Sequence, residues 1–165
     1  MGSGKTTVGS ELAKLLSYPF IDLDEQLVIG QDMPIAAQFK LYGEEAFRQK
    51  EREVLRHTAI YAQAVIACGG GAPCYYDNMD WMNRHGITVF LHIPPEELAI
   101  RLQPEKAQRP LLQNLSDEEL PHFIANKLQE RMPYYEQAAL TADATLPVKL
   151  LCAQIFRQLN EINGR

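Results

Sequence analysis

Near the front of the chain stand Gly2-Ser3-Gly4-Lys5-Thr6-Thr7. Glycines let backbone N–H groups close around anionic oxygens. A helix that begins just after them presents the positive end of its dipole to the same spot. Lys5 adds a mobile positive charge there, and the Thr6 hydroxyl is a hard oxygen ligand suited to Mg²⁺. Residues of these types in this order make a cradle for the phosphates of a nucleotide. The full loop pattern, G-x-x-x-x-G-K-[ST], normally follows a β-strand. Its first glycine would fall ahead of Met1. The reading therefore expects a front edge, a strand with that glycine, to be missing from this sequence, and Met1 to be a misassigned or truncated start.

Five further places carry groups able to do related chemistry. Asp22 and Asp24 read as the end of a strand, where residues two apart point the same way and both carboxylates face one pocket. Beside a magnesium–nucleotide, such a pair can hold the metal through water and orient a hydroxyl nucleophile. Arg48 lies in a helical stretch. Spacing alone favours pairing with Glu44 or Glu51, four and three residues away. Gly69-Gly70-Gly71 pack nothing and lose much entropy on folding, so they suit a close approach of backbone to a ligand. Arg109, in Arg109-Pro110-Leu111-Leu112, could swing over a nucleotide and stabilise transferring charge. Arg131 falls near the end of a helix, where a cation also complements the helix dipole.

The elements that must position these groups alternate between helix and strand, the pattern of an α/β protein with a parallel sheet. Val8, Leu12, Leu15 and Leu16 mark one face of a helix running to about Leu16. A short strand over Pro19–Ile21 ends at Asp22. Helical patterns follow over Pro34–Leu41 and Glu44–Tyr61. Ala64–Cys68 and Ile87–Leu91 are continuous apolar runs, expected to be strands buried on both faces. Asp77 is a candidate cap for a helix through Asn83, and Pro95 opens another to Leu102. Residues 103–114 are polar and aperiodic, which predicts a mobile loop. Ser116 and Glu119 have capping-box spacing ahead of a helix that runs toward Tyr135. A weak strand is expected near Ala144-Thr145-Leu146, and a last helix from Val148 to about Leu159.

At 165 residues the chain fits one domain, with no internal repeat. A net charge of −5 argues against a broad nucleic-acid or anionic-membrane surface. No apolar run approaches the roughly 18 residues of a membrane span, and the start lacks the apolar region of a signal peptide. The three cysteines have no C-x-x-C spacing and the four histidines no ligand spacing. The expectation is a reduced, cytoplasmic, monomeric protein.

Taken together, "MGSGKTTVG", "PFIDLDEQ", "YGEEAFRQKE", "VIACGGGAP", "RPLL" and "RMPYYEQAA" resemble the shikimate kinase family of phosphate-loop small-metabolite kinases, over essentially the whole chain. The resemblance implies a three-layer fold with a parallel sheet of about five strands, the first apparently missing here. It implies one domain over residues 1–165 with a lid near residues 103–115. ATP would be the donor, Mg²⁺ the cofactor and shikimate the acceptor, in the route to chorismate. Residue by residue, it implies that Gly2, Ser3, Gly4, Lys5, Thr6 and Thr7 hold ATP. Thr6, and Asp22 through water, would hold the metal. Asp24 would bond the accepting hydroxyl and act as base. Arg48 and Arg131 would bind the substrate carboxylate beside Gly69, Gly70 and Gly71, and Arg109 would reach ATP from the lid. A planar carboxylate suits such guanidinium forks.

The chain departs from that pattern in three places. The front strand is one. The segment Ala144–Lys149 is shorter than the adenine-side loop of the family, so no adenine contact is carried over. Cys68 stands where threonine is usual, with a minor packing effect expected. Two rival readings fit part of these motifs: a gluconate-kinase-like sugar-acid kinase, and a truncated, non-catalytic nucleotide-binding module.

Overall fold

The fold described here is a computed structural model, which covers residues 2–108, 112 and 114–164. Helix α1 (Lys5–Leu16) begins at Gly4, whose φ of 82° is left-handed, and it ends where Ser17 also turns left-handed. It buries Val8, Leu12 and Ala13. Strand β1 (Phe20–Asp22) leads straight into α2 (Leu23–Gln31). Then come α3 (Ile35–His57), β2 (Val65–Ala67), α4 (Asn78–His85), β3 (Val89–His92) and α5 (Pro95–Leu102). The chain closes with α6 (Glu119–Tyr135), β4 (Leu140–Asp143) and α7 (Val148–Asn163). Short 3₁₀ turns lie at Thr58–Ile60, Ala72–Cys74 and Gln103–Gln108.

Every strand pairing is parallel, as the alternating pattern predicts. β1 pairs with β2, with Ile21 opposite Ile66, and β3 pairs with β4, with Leu91 opposite Ala142. Among the described residues these are two separate two-stranded sheets. A cavity of about 670 Å³ is lined by Val65, Ile66 and Ala67 of β2 and by Val89, Phe90 and Leu91 of β3. That cavity explains a departure from expectation. The runs around β2 and β3 read as strands buried on both faces. In the structure Val65, Ile66, Val89, Phe90 and Leu91 are only half-buried.

The main core sits beneath α1. Val8 and Leu12 pack with Leu98 and Leu102 of α5, Ile124 of α6, Ala142 of β4 and Leu151 and Ile155 of α7. Leu112 is fully buried in the same cluster. It anchors part of a segment that the sequence reads as a loop.

Three local expectations need correction. The Asp22-Leu23-Asp24 triplet is not all strand: Asp22 ends β1 and caps α2, while Asp24 lies in the first helical turn. The two helical patterns either side of Gly43 are present as read: the helical backbone of α3 is interrupted where Gly43 takes φ 80° and ψ 170°. That backbone is open only to glycine. Asp77 precedes α4 but makes no side-chain cap, because Arg52 at 2.9 Å and Arg56 at 2.7 Å take its carboxylate. The last strand is Leu140–Asp143 rather than Ala144–Leu146. Asp143 Oδ1 accepts from both Thr145 N and Thr145 Oγ1, which turns the chain out of the sheet there.

The capping box is present as read. Ser116 N donates to Glu119 Oε2 at 2.7 Å, and Glu119 N donates to Ser116 Oγ at 3.1 Å. It fixes the start of α6, the helix that carries Arg131. Ser116→Ala should cost about 1 kcal/mol, read as a lowered urea midpoint at unchanged slope. An unchanged midpoint would mean that the reciprocal bonds add nothing in solution.

Candidate active site

The glycine-rich loop, the β1–α2 junction and the turn after β2 meet at one end of the strands. Lys5, Gly69, Gly70 and Arg131 all line the large cavity. At the loop, Thr6 Oγ1 donates to Asp22 Oδ2 at 2.9 Å. The other Asp22 oxygen, Oδ1, accepts from Asp24 N at 3.0 Å. One carboxylate thus ties the loop to the α2 cap. It also sets two oxygen ligands side by side, a donor set suited to a small hard cation. A second cavity, of about 330 Å³, adjoins the loop at Ser3 and Gly4 and is lined also by Arg101, Thr145 and Pro147. Arg101 donates to Ala144 O at 2.9 Å and pairs with Glu97 at 2.6 Å.

Space is tight at two positions of the Gly69–Gly71 turn. A Cβ on Gly69 would lie 3.0 Å from Asp24 Oδ1 and 3.2 Å from Glu51 Oε1. A Cβ on Gly71 would lie 2.7 Å from Arg48 Nη1. The turn is therefore pressed between an aspartate on one side and a guanidinium on the other. Gly70 contributes its carbonyl, which accepts from Tyr135 Oη at 2.6 Å. That bond docks the end of α6 onto the turn. Burial pushes the Tyr135 hydroxyl above its usual range, and Arg131, one turn earlier on α6, pulls it back in part.

Arg48 is the most enclosed cation of the site, 8% exposed. Its Nη1 donates to Glu51 Oε2 at 2.7 Å, and Glu51 is itself 2% exposed. Its Nε and Nη2 point at Glu44 Oε1, at 3.4 and 3.3 Å. The rings of Tyr75, Phe47 and Phe39 lie 4.3, 5.2 and 5.4 Å from its Cζ. The pairing that spacing favours is therefore real, and Arg48 also faces the glycine turn. The two readings of this residue are compatible.

Burial, and then the neighbouring Asp22 charge, push the Asp24 carboxyl above the usual range; Lys5 and Arg48 pull it back in part. Burial likewise raises Glu51, and the Arg48 charge offsets that rise. Burial pushes the Cys68 thiol up to about 12. Its Sγ lies 3.9 Å from Met82 Sδ, so Cys68 is a packing group.

Of the residues singled out in the sequence, Lys5, Thr6, Asp22, Asp24, Arg48, Gly69, Gly70, Gly71 and Arg131 come together here. Gly2, Ser3, Gly4 and Thr7 form the loop and first turn beside them. Arg109 lies outside the described residues. The sequence reading did not single out Tyr75, Tyr135 or Arg101. Spacing offers Arg101 only its pair with Glu97, four residues away; the contacts that bring the three to the site span 31, 65 and 43 residues.

Comparison with known proteins agrees with this geometry. The shikimate kinase family model matches residues 1–160. A shikimate kinase of Parabacteroides distasonis is 49% identical over 144 residues, covering 87% of this chain and 83% of the relative. The 1.7 Å crystal structure of shikimate kinase from Bacteroides thetaiotaomicron superposes with a TM-score of 0.90 at 42% identity, over all of this chain and 94% of that one. The enzyme from Acinetobacter baumannii, solved in complex with shikimate, gives 0.88 at 33% identity, covering 98% and 89% of the two chains. A gluconokinase from Sinorhizobium meliloti gives 0.54 at 19% identity, with coverage of 98% and 88%, a likeness of fold alone. On its motifs, on the site they build and on these matches, the chain belongs to the shikimate kinase family.

Proposed function

We infer that this chain is an ATP-dependent shikimate kinase, moving the γ-phosphoryl group of ATP to the 3-hydroxyl of shikimate. The observation that carries this reading is the Gly69–Gly71 turn, which meets Asp24 on one side and Arg48 on the other. A ring acid with neighbouring hydroxyls needs that combination: a guanidinium for the carboxylate, backbone and a carboxylate for the hydroxyls. Gly2–Thr7 cradle the phosphates, and Lys5 meets their charge. The smaller cavity beside Gly4 supports the base end of the nucleotide.

Asp24 orients the 3-hydroxyl and takes its proton as the phosphoryl group arrives. Its raised proton affinity suits that task. Arg48 and Arg131 fix the carboxylate end, which holds the hydroxyl in line. Arg109, outside the described residues, is assigned to the nucleotide on the family resemblance of Arg109-Pro110-Leu111-Leu112. Thr6, and Asp22 through water, fit a magnesium ion, and their bonded pair supports that assignment. When bound, Mg²⁺ neutralises charge on the transferring group.

The facing edges of β2 and β3, with the apolar cavity they line, support a single parallel sheet of about five strands in which one more strand runs between them. Extending the chain ahead of Met1 by an apolar strand should then raise Tm by more than about 5 °C and reduce binding of a hydrophobic dye. No change in either would remove the fifth strand from the reading.

Asp24→Asn should abolish shikimate-dependent ADP release and leave ATP binding in place. Surviving turnover would refute the role of Asp24. The same change has a stability consequence of defined sign. A carboxyl with a raised folded pKa binds its proton more tightly in the folded state, so it costs stability above that pKa and nothing below the unfolded value. Asp24→Asn should therefore raise Tm at neutral pH. The gain should fade as pH falls toward the unfolded value of about 3.9 and be absent below it. Thr6→Val should raise the Mg²⁺ concentration for half-maximal turnover about ten-fold or more; an unaltered Mg²⁺ titration would exclude Thr6 as a ligand.

A further inference from the structure

Arg48 is held by two carboxylates that differ in kind. Glu51 is buried, its side chain 3% exposed, and it meets Nη1 at 2.7 Å. Glu44 is open to solvent, its side chain 56% exposed. A single Glu44 oxygen, Oε1, faces both Nε and Nη2 at 3.4 and 3.3 Å. That is a loose contact on the very edge of the guanidinium that could hold a carboxylate by two parallel bonds. The same oxygen accepts from Tyr75 Oη at 2.6 Å. The Tyr75 ring in turn lies over the guanidinium, 4.3 Å from Cζ. Glu44 directly follows Gly43, the kink in α3.

We propose that Glu44, pinned by Tyr75, is an internal stand-in for the substrate carboxylate on Arg48 and sets which ligands can bind there. Glu51 is the permanent partner, since leaving it unpaired in the core would be costly. Glu44 is the exchangeable one, since its carboxylate can return to water. A ligand acid that reaches Nε and Nη2 with both oxygens replaces two long contacts with two short ones and releases Glu44. A neutral ligand end cannot do so. Tyr75 has two parts to play: its hydroxyl holds the stand-in in place, and its ring keeps the guanidinium plane fixed during the exchange. The hydroxyl bond also draws the Glu44 carboxyl below its usual range, so the stand-in is charged throughout the neutral range. Both residues act as specificity determinants of the reaction, through Arg48.

This rests on the reading that Arg48 receives the substrate carboxylate, and the experiment separates the two. Binding of shikimate and of its carboxamide analogue would be measured by calorimetry on the wild-type protein and on Glu44→Gln, Tyr75→Phe and Arg48→Lys. Glu44→Gln should tighten shikimate about two- to five-fold, the range that release of one exposed ion pair allows. It should leave the carboxamide unmoved. Tyr75→Phe keeps the ring and loses the hydroxyl, so it should move shikimate the same way by less. In turnover, the Glu44→Gln effect should appear in KM more than in kcat. If Glu44→Gln weakens shikimate, or moves acid and amide equally, while Arg48→Lys weakens the acid alone, Glu44 merely props Arg48 and the proposal falls with the Arg48 reading intact. If Arg48→Lys leaves the acid unmoved, the Arg48 reading fails and takes the proposal with it.

Discussion

The buried pair of Arg48 and Glu51 is the contact around which the rest of the site is arranged. Two charges taken out of water carry a large desolvation penalty, offset only by close geometry and further hydrogen bonds. Here the distance is 2.7 Å, and three aromatic rings surround the guanidinium. Once the pair is fixed, the turn after β2 has little freedom. A Cβ at Gly71 would displace the Arg48 guanidinium, and one at Gly69 would crowd Asp24 and Glu51. The glycine run is thus in part a consequence of the ion pair.

A second set of constraints ties this turn to the glycine-rich loop at Gly2–Thr7. Asp22 is shared: one oxygen holds the loop through Thr6, the other caps α2 and so sets where Asp24 stands. A shift in the loop would be felt at Asp24 through a single carboxylate. On the far side, Tyr135 locks the end of α6 to Gly70, so Arg131 arrives from a different helix at the same turn. The site is held by contacts between distant stretches of chain, which allows small displacements of α2, α3 and α6 to change its geometry together.

The two sheets are not joined by strand pairing among the described residues. β1–β2 and β3–β4 are each well registered, yet an apolar cavity lies along the facing edges of β2 and β3. Packing in the molecule is therefore uneven. The cluster under α1, α5 and α7 is dense and apolar, while the strands that carry the glycine turn and β3 keep half-exposed apolar side chains. Unpaired strand edges of this kind are a liability in water. This is the part of the fold with the most to gain from further pairing.

The sequence by itself determined the chemistry and most of the elements. A glycine loop before an amphipathic helix, paired aspartates one helix later, three glycines after an apolar run and a capping box before α6 each have a local physical cause, and each is in the structure. Local rules also named both partners of Arg48, since spacing of three and four residues puts them on one helix face. Only the tertiary structure decided what those rules leave open. It decided that Asp24 sits on a helix rather than a strand, because the Asp22 side chain is drawn back to cap α2. It decided that Asp77 serves two arginines of α3 rather than the helix that follows it. It decided that β4 lies at Leu140–Asp143, since pairing with β3 outweighs weak local preference. It also brought Tyr75 and Tyr135 to the site. Contacts that span dozens of residues depend on how elements pack, and no local spacing encodes that.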